Sequence, residues 1–297
     1  MPITVQLDWK PGVQFAGLLV AQERGWYQDA GLAVTIRAND FKRPSVDVVA
    51  EDNHTVGTSD ARTLVAARQR GLPVRAVATM FQASPVVLIS LKSRGLRTLA
   101  DHEWKTIGIH RPSDVNMLAA VFGTRPGEVP CHIDTVGFDF KELLAGKVDA
   151  VPGYVMDEPL RLAQSGTEVH VLPLADNGWT DYAQVLFVNQ VLLAENSAAL
   201  ERFLTVTFRG WRAAVADPEG TAQIVVRQDP AGLDEASLRK ALRRMAPLLT
   251  HESPHLGTMQ AATWRQIIAQ TMIDDPGPRL TVHDLADFRY MPVLKKD

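Results

Sequence analysis

The strongest constraint on the fold is a regular alternation between short apolar segments, which predict strands, and segments with helical periodicity. The first predicted strands are Ile3–Leu7, Leu32–Ile36, Thr55–Thr58 and Val74–Met80. The helices predicted between them are Val13–Arg24, Ser45–Glu51 and Asp60–Gln69. Strands that are joined through helices pair in parallel by right-handed crossovers, so the pattern predicts an α/β protein.

A second α/β unit interrupts the first one. Its predicted strands are Val86–Ser90, Thr106–Ile109, His132–Val136, Ala150–Gly153 and Val169–Leu172. Its predicted helices are Ser113–Phe122, Lys141–Ala145 and Asp157–Gln164. The chain returns to the first unit at Val185–Val188, and the helices predicted after that are Ser197–Ala214, Pro218–Gln228, Glu235–Met245 and Thr258–Thr271.

This interrupted order predicts two lobes joined by a hinge. One lobe is expected to consist of residues 1–83 together with the mainly helical residues 185–297, and the other of residues 84–184. The hinge is predicted near Phe81–Ser84 and Tyr182–Val185. Ligands of open α/β sheets bind at the carboxyl ends of strands, so we expect a ligand site in an interlobe cleft.

Composition excludes several classes of protein. The 297 residues are 46% hydrophobic and 22% charged, which is typical of a globular protein, and the net charge of −3 gives no reason to expect a nucleic-acid partner. A single cysteine, Cys131, permits neither an internal disulfide nor a thiolate metal cluster. The sequence therefore predicts no metal and no cofactor, and we expect a monomer.

The location of the protein depends on whether a signal peptide was removed. No apolar stretch is long enough to span a membrane, and the N-terminal residues lack the features of a secretion signal. We expect a periplasmic or cell-surface-anchored protein if a signal was removed, and a cytoplasmic protein otherwise.

The first unit offers candidate ligand contacts where its predicted strands end. Trp9 leaves the first strand for a Pro-Gly turn, where its ring can either face a flat ligand or pack under the next helix. Phe15 begins that helix and is expected to line the same cleft. Ser59, Asp60 and Arg62 follow the third strand, where they can contact a ligand or serve only to cap a helix.

The second unit offers a matching set after the strand at Ala150–Gly153. Tyr154 supplies an aromatic face, and Asp157 and Glu158 place carboxylates at the start of the next helix. Acidic residues there can be simple partners of the helix dipole. A carboxylate that also faces the cleft can pair with an amidine-like edge, such as that of an aminopyrimidine.

Two strings resemble enzyme motifs without the required context. The Gly57–Ala61 segment resembles a nucleophile elbow, but alanine replaces the final glycine and an HGGG-like segment is missing. The His251–His255 segment matches H-E-x-x-H, but Pro254 is incompatible with the continuous helix that such a zinc site needs, so a loop is predicted. We expect neither a hydrolase nor a zinc protease.

Several segments, in a shared order, resemble a known superfamily. They are Leu7–Gly17, Ala21–Tyr27, Arg70–Val74, Val136–Asp139, Lys147–Ala150 and Tyr154–Glu158. The family contains ABC-transporter solute-binding proteins for thiamine-precursor pyrimidines and riboflavin, together with the thiamine pyrimidine synthases. The last three segments are similar to the transporter branch that binds formylaminopyrimidine.

The resemblance implies a type II periplasmic-binding-protein fold and lends ligand-contact roles to particular residues. They are Trp9, Ser59, Tyr154 and Glu158, with Asp157 and Asp60 as further candidates. This chain departs from the family at Gly12, where many members have Asn, and at Asp157-Glu158, which replaces an Asn-His-Glu run.

The enzyme branch of the family makes specific demands on the sequence. Its synthases consume a histidine, hold pyridoxal phosphate on a lysine and carry a cysteine-rich run. Alignment on Arg70–Val74 places Ser59 at the lysine position and Thr63 at the histidine position, and Cys131 is the lone cysteine. We therefore expect a binding protein that captures a small aromatic heterocycle, does no chemistry on it and docks on an ABC permease. The alternatives are a synthase-like enzyme or a sensor domain on the same scaffold.

Overall fold

A computed structural model describes residues 1–111, 114–229, 232–272 and 277–291, and it contains two five-stranded sheets. The strands are β1 (Pro2–Gln6), β2 (Ala33–Arg37), β3 (Thr55–Ser59), β4 (Val74–Phe81), β5 (Val86–Leu91), β6 (Thr106–Ile109), β7 (His132–Thr135), β8 (Ala150–Tyr154), β9 (Val169–Pro173) and β10 (Ala183–Asn189). Their order is β2-β1-β3-β10-β4 in the first sheet and β7-β6-β8-β5-β9 in the second. We call each sheet with its packed helices a lobe.

The predicted parallel pairing is confirmed for only part of each sheet. Strand β1 pairs in parallel with β2 and β3, and β6 pairs in parallel with β7 and β8. Strand β10 instead runs antiparallel between β3 and β4, and β5 runs antiparallel between β8 and β9. The reason is that β5 and β10 are the strands by which the chain enters one lobe and returns to the other, so each meets its new sheet from the opposite direction.

The helices follow the predicted order. They are α1 (Ala16–Glu23), α2 (Trp26–Asp29), α3 (Ser45–Glu51), α4 (Ala61–Gln69), α5 (Asp114–Phe122), α6 (Lys141–Leu144), α7 (Glu158–Gln164), α8 (Gln190–Glu195), α9 (Ser197–Ala216), α10 (Pro218–Gln228), α11 (Glu235–Leu249), α12 (Ala261–Thr271) and α13 (Val282–Leu285). The short helices α2, α8 and α13 were not predicted. The predicted helix start at Ser113 lies outside the described residues, and Val13–Phe15 forms a 3₁₀ turn before α1.

The chain passes between the sheets twice. The first passage lies between β4 and β5, at residues 82–85, which agrees with the predicted crossing. The second lies between β9 and β10, at residues 174–182, so it begins earlier than predicted. The residue boundaries that we predicted for the two lobes stay a prediction.

The lobes are in contact. Met156 and Leu160, from the segment that joins β8 to α7 and from α7 itself, belong to the same buried cluster as the core of the first lobe. Polar contacts support this packing: Arg244 Nη1 donates to the Val155 carbonyl at 3.1 Å, and Arg161 Nη2 lies 3.5 Å from Asp229 Oδ2. The interlobe surface is therefore largely closed in this conformation.

His251–His255 lies outside any helix, between α11 and α12, so the predicted loop is confirmed. In the described ranges, no helix is both long and apolar enough to cross a bilayer.

Candidate functional site

Residues that follow the parallel strands of the first sheet contact residues that follow the parallel strands of the second. Trp9, after β1, meets Phe138, after β7, and Asp60, after β3, meets Arg111, after β6. The carboxyl ends of both sheets therefore border one interlobe surface. This is the location that strand topology predicts for a ligand site.

A row of aromatic rings crosses this surface. The half-buried Trp9 makes edge contacts with Phe41 and Phe138, each with ring centroids 5.0 Å apart. Phe138 in turn stacks on His110 with centroids 4.3 Å apart and planes 23° apart. Tyr154 is the residue of the second lobe predicted to supply an aromatic face, but the ring of that lobe that contacts Trp9 is Phe138. Aromatic rings from both lobes therefore lie together at this surface, where they can contact a flat ligand.

A cavity of about 440 Å³ lies beside Trp9 and Phe138. Both lobes line it, and its volume is within the range of small-molecule sites. Its polar and charged lining residues are Lys10, Gln14, Asp139, Asp157, Glu158, Arg161 and Asp229. Its apolar lining residues include Trp9, Pro11, Val13, Phe138, Phe140, Val225, Leu233 and Leu238.

Asp8 immediately precedes Trp9 and was not among the predicted site residues. Its Oδ1 accepts a 2.6 Å hydrogen bond from the Thr58 hydroxyl, and its Oδ2 is 3.5 Å from Gln184 Nε2. Burial is the main cause that raises the pKa of Asp8 to about 6, and the nearby Asp60 adds to the effect. The carboxylate would gain from a hydrogen-bond donor or a cation brought by a ligand.

Tyr154 and Glu158 extend the site from the second lobe. The Tyr154 amide donates to Glu158 Oε2 at 2.6 Å, which orients the carboxylate at the start of α7. Burial, followed by the neighbouring Asp157, raises the pKa of Glu158 to about 7. Asp157 itself accepts a 2.6 Å bond from Arg161 Nε. The phenol of Tyr154 lies within electrostatic range of Asp8, and burial raises its pKa well above the ordinary value.

Asp60 has two roles at the end of β3. Its Oδ1 accepts a 2.7 Å bond from the Thr63 amide, so Asp60, and not Ser59, caps helix α4. Its Oδ2 lies 3.5 Å from Arg111 Nη1 in the second lobe. Because the Arg111 side chain is 61% exposed, solvent weakens this interlobe ion pair.

Arg62 lies away from the cavity lining. Its guanidinium carbon is 3.2 Å from the centre of the Trp179 ring, and its Nε is 3.5 Å from Asp181 Oδ2. It also donates to the Thr180 carbonyl at 3.3 Å and to Gln270 Oε1 at 3.1 Å. These contacts fasten α4 to the second interlobe passage, which gives Arg62 a structural role that the sequence did not predict.

Two other predicted residues are buried. The side chain of Phe15 is completely buried in the core of the first lobe, so it offers no face to a cleft, and the expectation that it lines one is wrong for this conformation. The helical turn at Val13–Phe15 points the ring inward. Ser59 is also buried, where it ends β3 opposite Val185 of β10.

Besides Asp8, sequence reasoning missed four residues that border the interlobe surface. Arg111 and Phe138 follow strands in the second lobe, so the reasoning that found Trp9 could have found them. Asp181 lies in the second interlobe passage and Gln184 near the start of β10, and because neither follows the end of a strand, strand ends do not point to them. Among the described residues, no group of three or more His, Cys, Asp or Glu side chains is arranged to hold a metal ion.

We expect the three buried carboxyl groups at this surface to make the ligand-free protein less stable as pH rises. The pKa values of Asp8, Glu158 and Asp181 in the folded protein, about 6, 7 and 8, exceed the values of 3.8 to 4.5 for unperturbed groups. The folded protein therefore keeps protons that the unfolded chain has released. This stabilisation is complete below about pH 4 and is lost as pH rises through the folded pKa values.

Thermal melts of the wild type and Asp181→Asn between about pH 5 and pH 9 test this expectation. His102 acts in the opposite direction, because burial lowers its pKa, so the informative quantity is the difference between the two pH slopes. The Asp181→Asn slope should be less negative, whereas Asp134→Asn, at an exposed aspartate, should match the wild type. An unchanged slope in Asp181→Asn would contradict the assignment.

Comparison with known proteins agrees with this architecture. The family model described as NMT1/THI5 like matches residues 13–221. The chain is 28% identical to the riboflavin-binding protein RibY of Chloroflexus aurantiacus, over 84% of this chain and 73% of that protein. It is 25% identical to the formylaminopyrimidine-binding protein of Halalkalibacterium halodurans, over 90% of this chain and 83% of that protein. A 4-amino-5-hydroxymethyl-2-methylpyrimidine phosphate synthase of Legionella pneumophila is 22% identical, over 77% and 74%.

Solved structures confirm the fold class. The periplasmic aliphatic sulphonate binding protein SsuA of Escherichia coli superposes with a TM-score of 0.75 at 12% identity, covering 95% of this chain and 91% of that one. The ligand-binding component of an ABC-type import system from Staphylococcus aureus superposes with a TM-score of 0.73 at 13% identity, over the whole of both chains. The chain thus has the predicted periplasmic-binding-protein fold, with two α/β lobes.

Proposed function

Because the chain belongs to the NMT1/THI5-like family, we propose that it is the substrate-binding component of an ABC importer. In this proposal it captures a small aromatic heterocycle, such as a thiamine-precursor pyrimidine or a flavin-like compound, by closure of its two lobes. Two of its relatives, a riboflavin-binding and a formylaminopyrimidine-binding protein, support this ligand class.

One observation carries the proposal: Trp9 of the first lobe meets Phe138 of the second beside a cavity of about 440 Å³ that both lobes line. A flat ring inserted here would contact aromatic faces from both lobes. Each such contact contributes about 1 kcal/mol beyond the burial of apolar area. Only a ligand that touches both lobes favours the closed state over an open one, so capture and closure are linked.

The polar residues of the surface would orient the heterocycle. We propose that Tyr154 and Glu158 contact its polar edge from the second lobe, with Asp157 as a further contact held by Arg161. From the first lobe, the proposed contacts are Ser59, the last residue of β3, and Asp60, which follows it. Exclusion of water on closure would strengthen these hydrogen bonds.

The proposal extends to partner and location. We propose that the closed, ligand-bound protein docks as a monomer on a membrane permease, and that it acts in the periplasm or at the cell surface. The superposition on a periplasmic binding protein and on a component of an ABC-type import system supports this assignment.

A pyrimidine synthase or a sensor domain on the same scaffold is the second candidate. Relatives at 22% identity are named as synthases, which keeps enzyme chemistry within the family. Against it, Ser59 and Thr63 occupy the positions where the synthase mechanism needs lysine and histidine. Neither side chain can form a Schiff base or donate an imidazole.

A panel of ligands tests the proposed function. Riboflavin and 4-amino-2-methylpyrimidine, with taurine and methanesulfonate for contrast, are added to the protein and the melting temperature is recorded. A ligand at a concentration 100 times its Kd stabilises the folded protein by about 2.7 kcal/mol, so at least one heterocycle should raise the melting temperature by roughly 5 °C or more.

Mass spectrometry of the recovered ligand then separates binding from turnover. A binding protein returns its ligand unchanged, whereas an enzyme would convert it. Stabilisation by the sulfonates alone would refute the proposed ligand class, and chemical change of the heterocycle would favour the enzyme.

A further inference from the structure

Three carboxyl and amide groups lie at the interlobe surface, one each after β1, in the second interlobe passage and in β10, and two of them have an oxygen without a hydrogen bond. Asp181 is 6% exposed and Gln184 is 2% exposed. Within the described part of the chain, Asp181 Oδ1 and Gln184 Oε1 are buried without a hydrogen bond. Asp8 completes the group, since its Oδ2 has Gln184 Nε2 at 3.5 Å. Burial of a polar atom without a hydrogen bond is unfavourable, so two such oxygens three residues apart in the chain require an explanation.

The groups lie together and face the second lobe. Both Asp8 and Asp181 interact electrostatically with Asp60 and with Arg111. The phenol of Tyr154 is within electrostatic range of Asp8, Asp60 and Asp181. Arg111 follows β6 and Tyr154 ends β8, and both strands belong to the second lobe. Because the acceptors lie near these two residues, they border the surface that opens when the lobes separate. A ligand that enters between the lobes can therefore reach them.

The backbone of Gln184 supports a functional explanation. Its φ of 56° lies in the left-handed region, which is unfavourable for a residue with a side chain, and it occurs within strand β10. Such strain is typical of residues held in place for binding. The amide is oriented by Asp8, because Nε2 must be the atom that faces a carboxylate, and this leaves Oε1 as the free acceptor.

The two arginines nearest these acceptors have other principal contacts. Arg62 lies over the Trp179 ring with its Nε 3.5 Å from Asp181 Oδ2, and its Nε and Nη1 make no hydrogen bond among the described residues. Arg111 lies 3.5 Å from Asp60 and 3.6 Å from Asp114. Neither Asp181 Oδ1 nor Gln184 Oε1 therefore receives a hydrogen bond from these arginines.

We propose that Asp8, Asp181 and Gln184 form a subsite that accepts hydrogen bonds from an amino or amidine-type nitrogen edge of the ligand. This subsite deepens the proposed function and rests on it. An amino group on a ring carbon beside a ring nitrogen brings N–H donors, whereas an oxo group at the same position brings an acceptor. Donors from the ligand would also favour the ionised, accepting form of Asp8 and Asp181, whose pKa values burial raises to about 6 and about 8 in the protein without ligand. The subsite should thus select the amino heterocycle over its oxo analogue.

Two probes of nearly equal size test the selection: 4-amino-2-methylpyrimidine and 2-methylpyrimidin-4-one. Isothermal titration should give the wild type an affinity for the amino compound about ten- to hundredfold higher than for the oxo compound. In Gln184→Met and Asp181→Asn, that preference should fall at least fivefold, chiefly through weaker binding of the amino compound. Gln184→Met keeps the length of the side chain, and circular dichroism verifies that each variant folds.

Gln6→Met is the matched control. Gln6 is also a buried glutamine of the first sheet, but its Nε2 donates to the backbone carbonyls of Leu7 and Ala38. This substitution should leave the preference between the two probes unchanged. A merely structural role for Gln184 would lower stability as Gln6→Met does without altering the preference.

The remaining outcomes are distinguishable. Equal wild-type binding of both probes, a preference for the oxo compound, or an undiminished preference in both variants would overturn the subsite while leaving heterocycle binding intact. Binding of riboflavin alone would do the same. If neither pyrimidine nor riboflavin binds the wild type, the proposed function itself fails, and the subsite fails with it.

Discussion

Replacing Trp9 with alanine is expected to weaken binding of the aromatic ligand by roughly ten- to a hundredfold, which corresponds to about 1–3 kcal/mol. The Trp9 indole belongs to the first lobe and contacts Phe138 of the second, with the two ring centroids 5.0 Å apart. Its removal deletes one of the two faces available to a flat ring. Titration with whichever heterocycle stabilises the wild type measures the loss.

Trp104→Ala is the matched control for this variant. Trp104 is 74% exposed and precedes β6, so it lies at the amino end of a strand whose carboxyl end borders the cleft. Its substitution should leave affinity unchanged. Because Trp9 also packs on the first-lobe core, melting curves of Trp9→Ala must verify that the fold survives. An affinity equal to that of the wild type would show that the ligand lies elsewhere.

Gly210→Ala is expected to destabilise the protein by about 3 kcal/mol or more, although glycine to alanine within a helix normally stabilises by about 0.5–1 kcal/mol. Gly210 lies inside α9, where that helix crosses α1. An added methyl group would lie 2.0 Å from the Gly17 carbonyl oxygen and 2.9 Å from the Ala21 methyl group. A backbone atom cannot move aside as a side chain can, so the two helices would have to separate.

The loss should lower the melting temperature by roughly 6–12 °C, since a chain of this size loses about 2–4 °C per kcal/mol. Gly127→Ala is the control, because an added methyl group there meets nothing within 4 Å and the position lies on a short surface turn. It should change the free energy of unfolding by less than about 0.5 kcal/mol. Equal melting temperatures for both variants would mean that α1 and α9 do not pack as closely as described.

Local pattern was sufficient for most of the secondary structure. The helix at Ser45–Glu51 and the strand at Thr106–Ile109 match their predicted bounds, and Pro218–Gln228 does too. Each of these segments carries its own periodicity and its own stop signals, which act between residues close in sequence. Local pattern could not predict that β10 runs antiparallel between β3 and β4, because strand direction is a property of the whole sheet.

Strand ends were a sound guide to part of the site. They identified Trp9, Tyr154 and Glu158, all of which border the interlobe surface, and the same reasoning would have identified Arg111. The same reasoning failed at Phe15, because a rotation of half a helical turn decides whether the ring faces the cleft or the core. It also assigned Arg62 to a ligand, whereas its partners, Trp179 and Asp181, are more than a hundred residues away along the chain.

The sequence by itself determined that this is an α/β protein of two interleaved units, with aromatic and acidic residues where strands end. Only the tertiary structure decided that Trp9 meets Phe138 and that Gln184 adopts a left-handed backbone, and it alone left Asp181 Oδ1 buried without a partner. The physical reason is how far apart in the sequence the interacting residues lie. Periodicity and capping depend on neighbours a few residues apart, whereas burial, strain and unsatisfied hydrogen bonds depend on segments that folding brings together from distant parts of the chain.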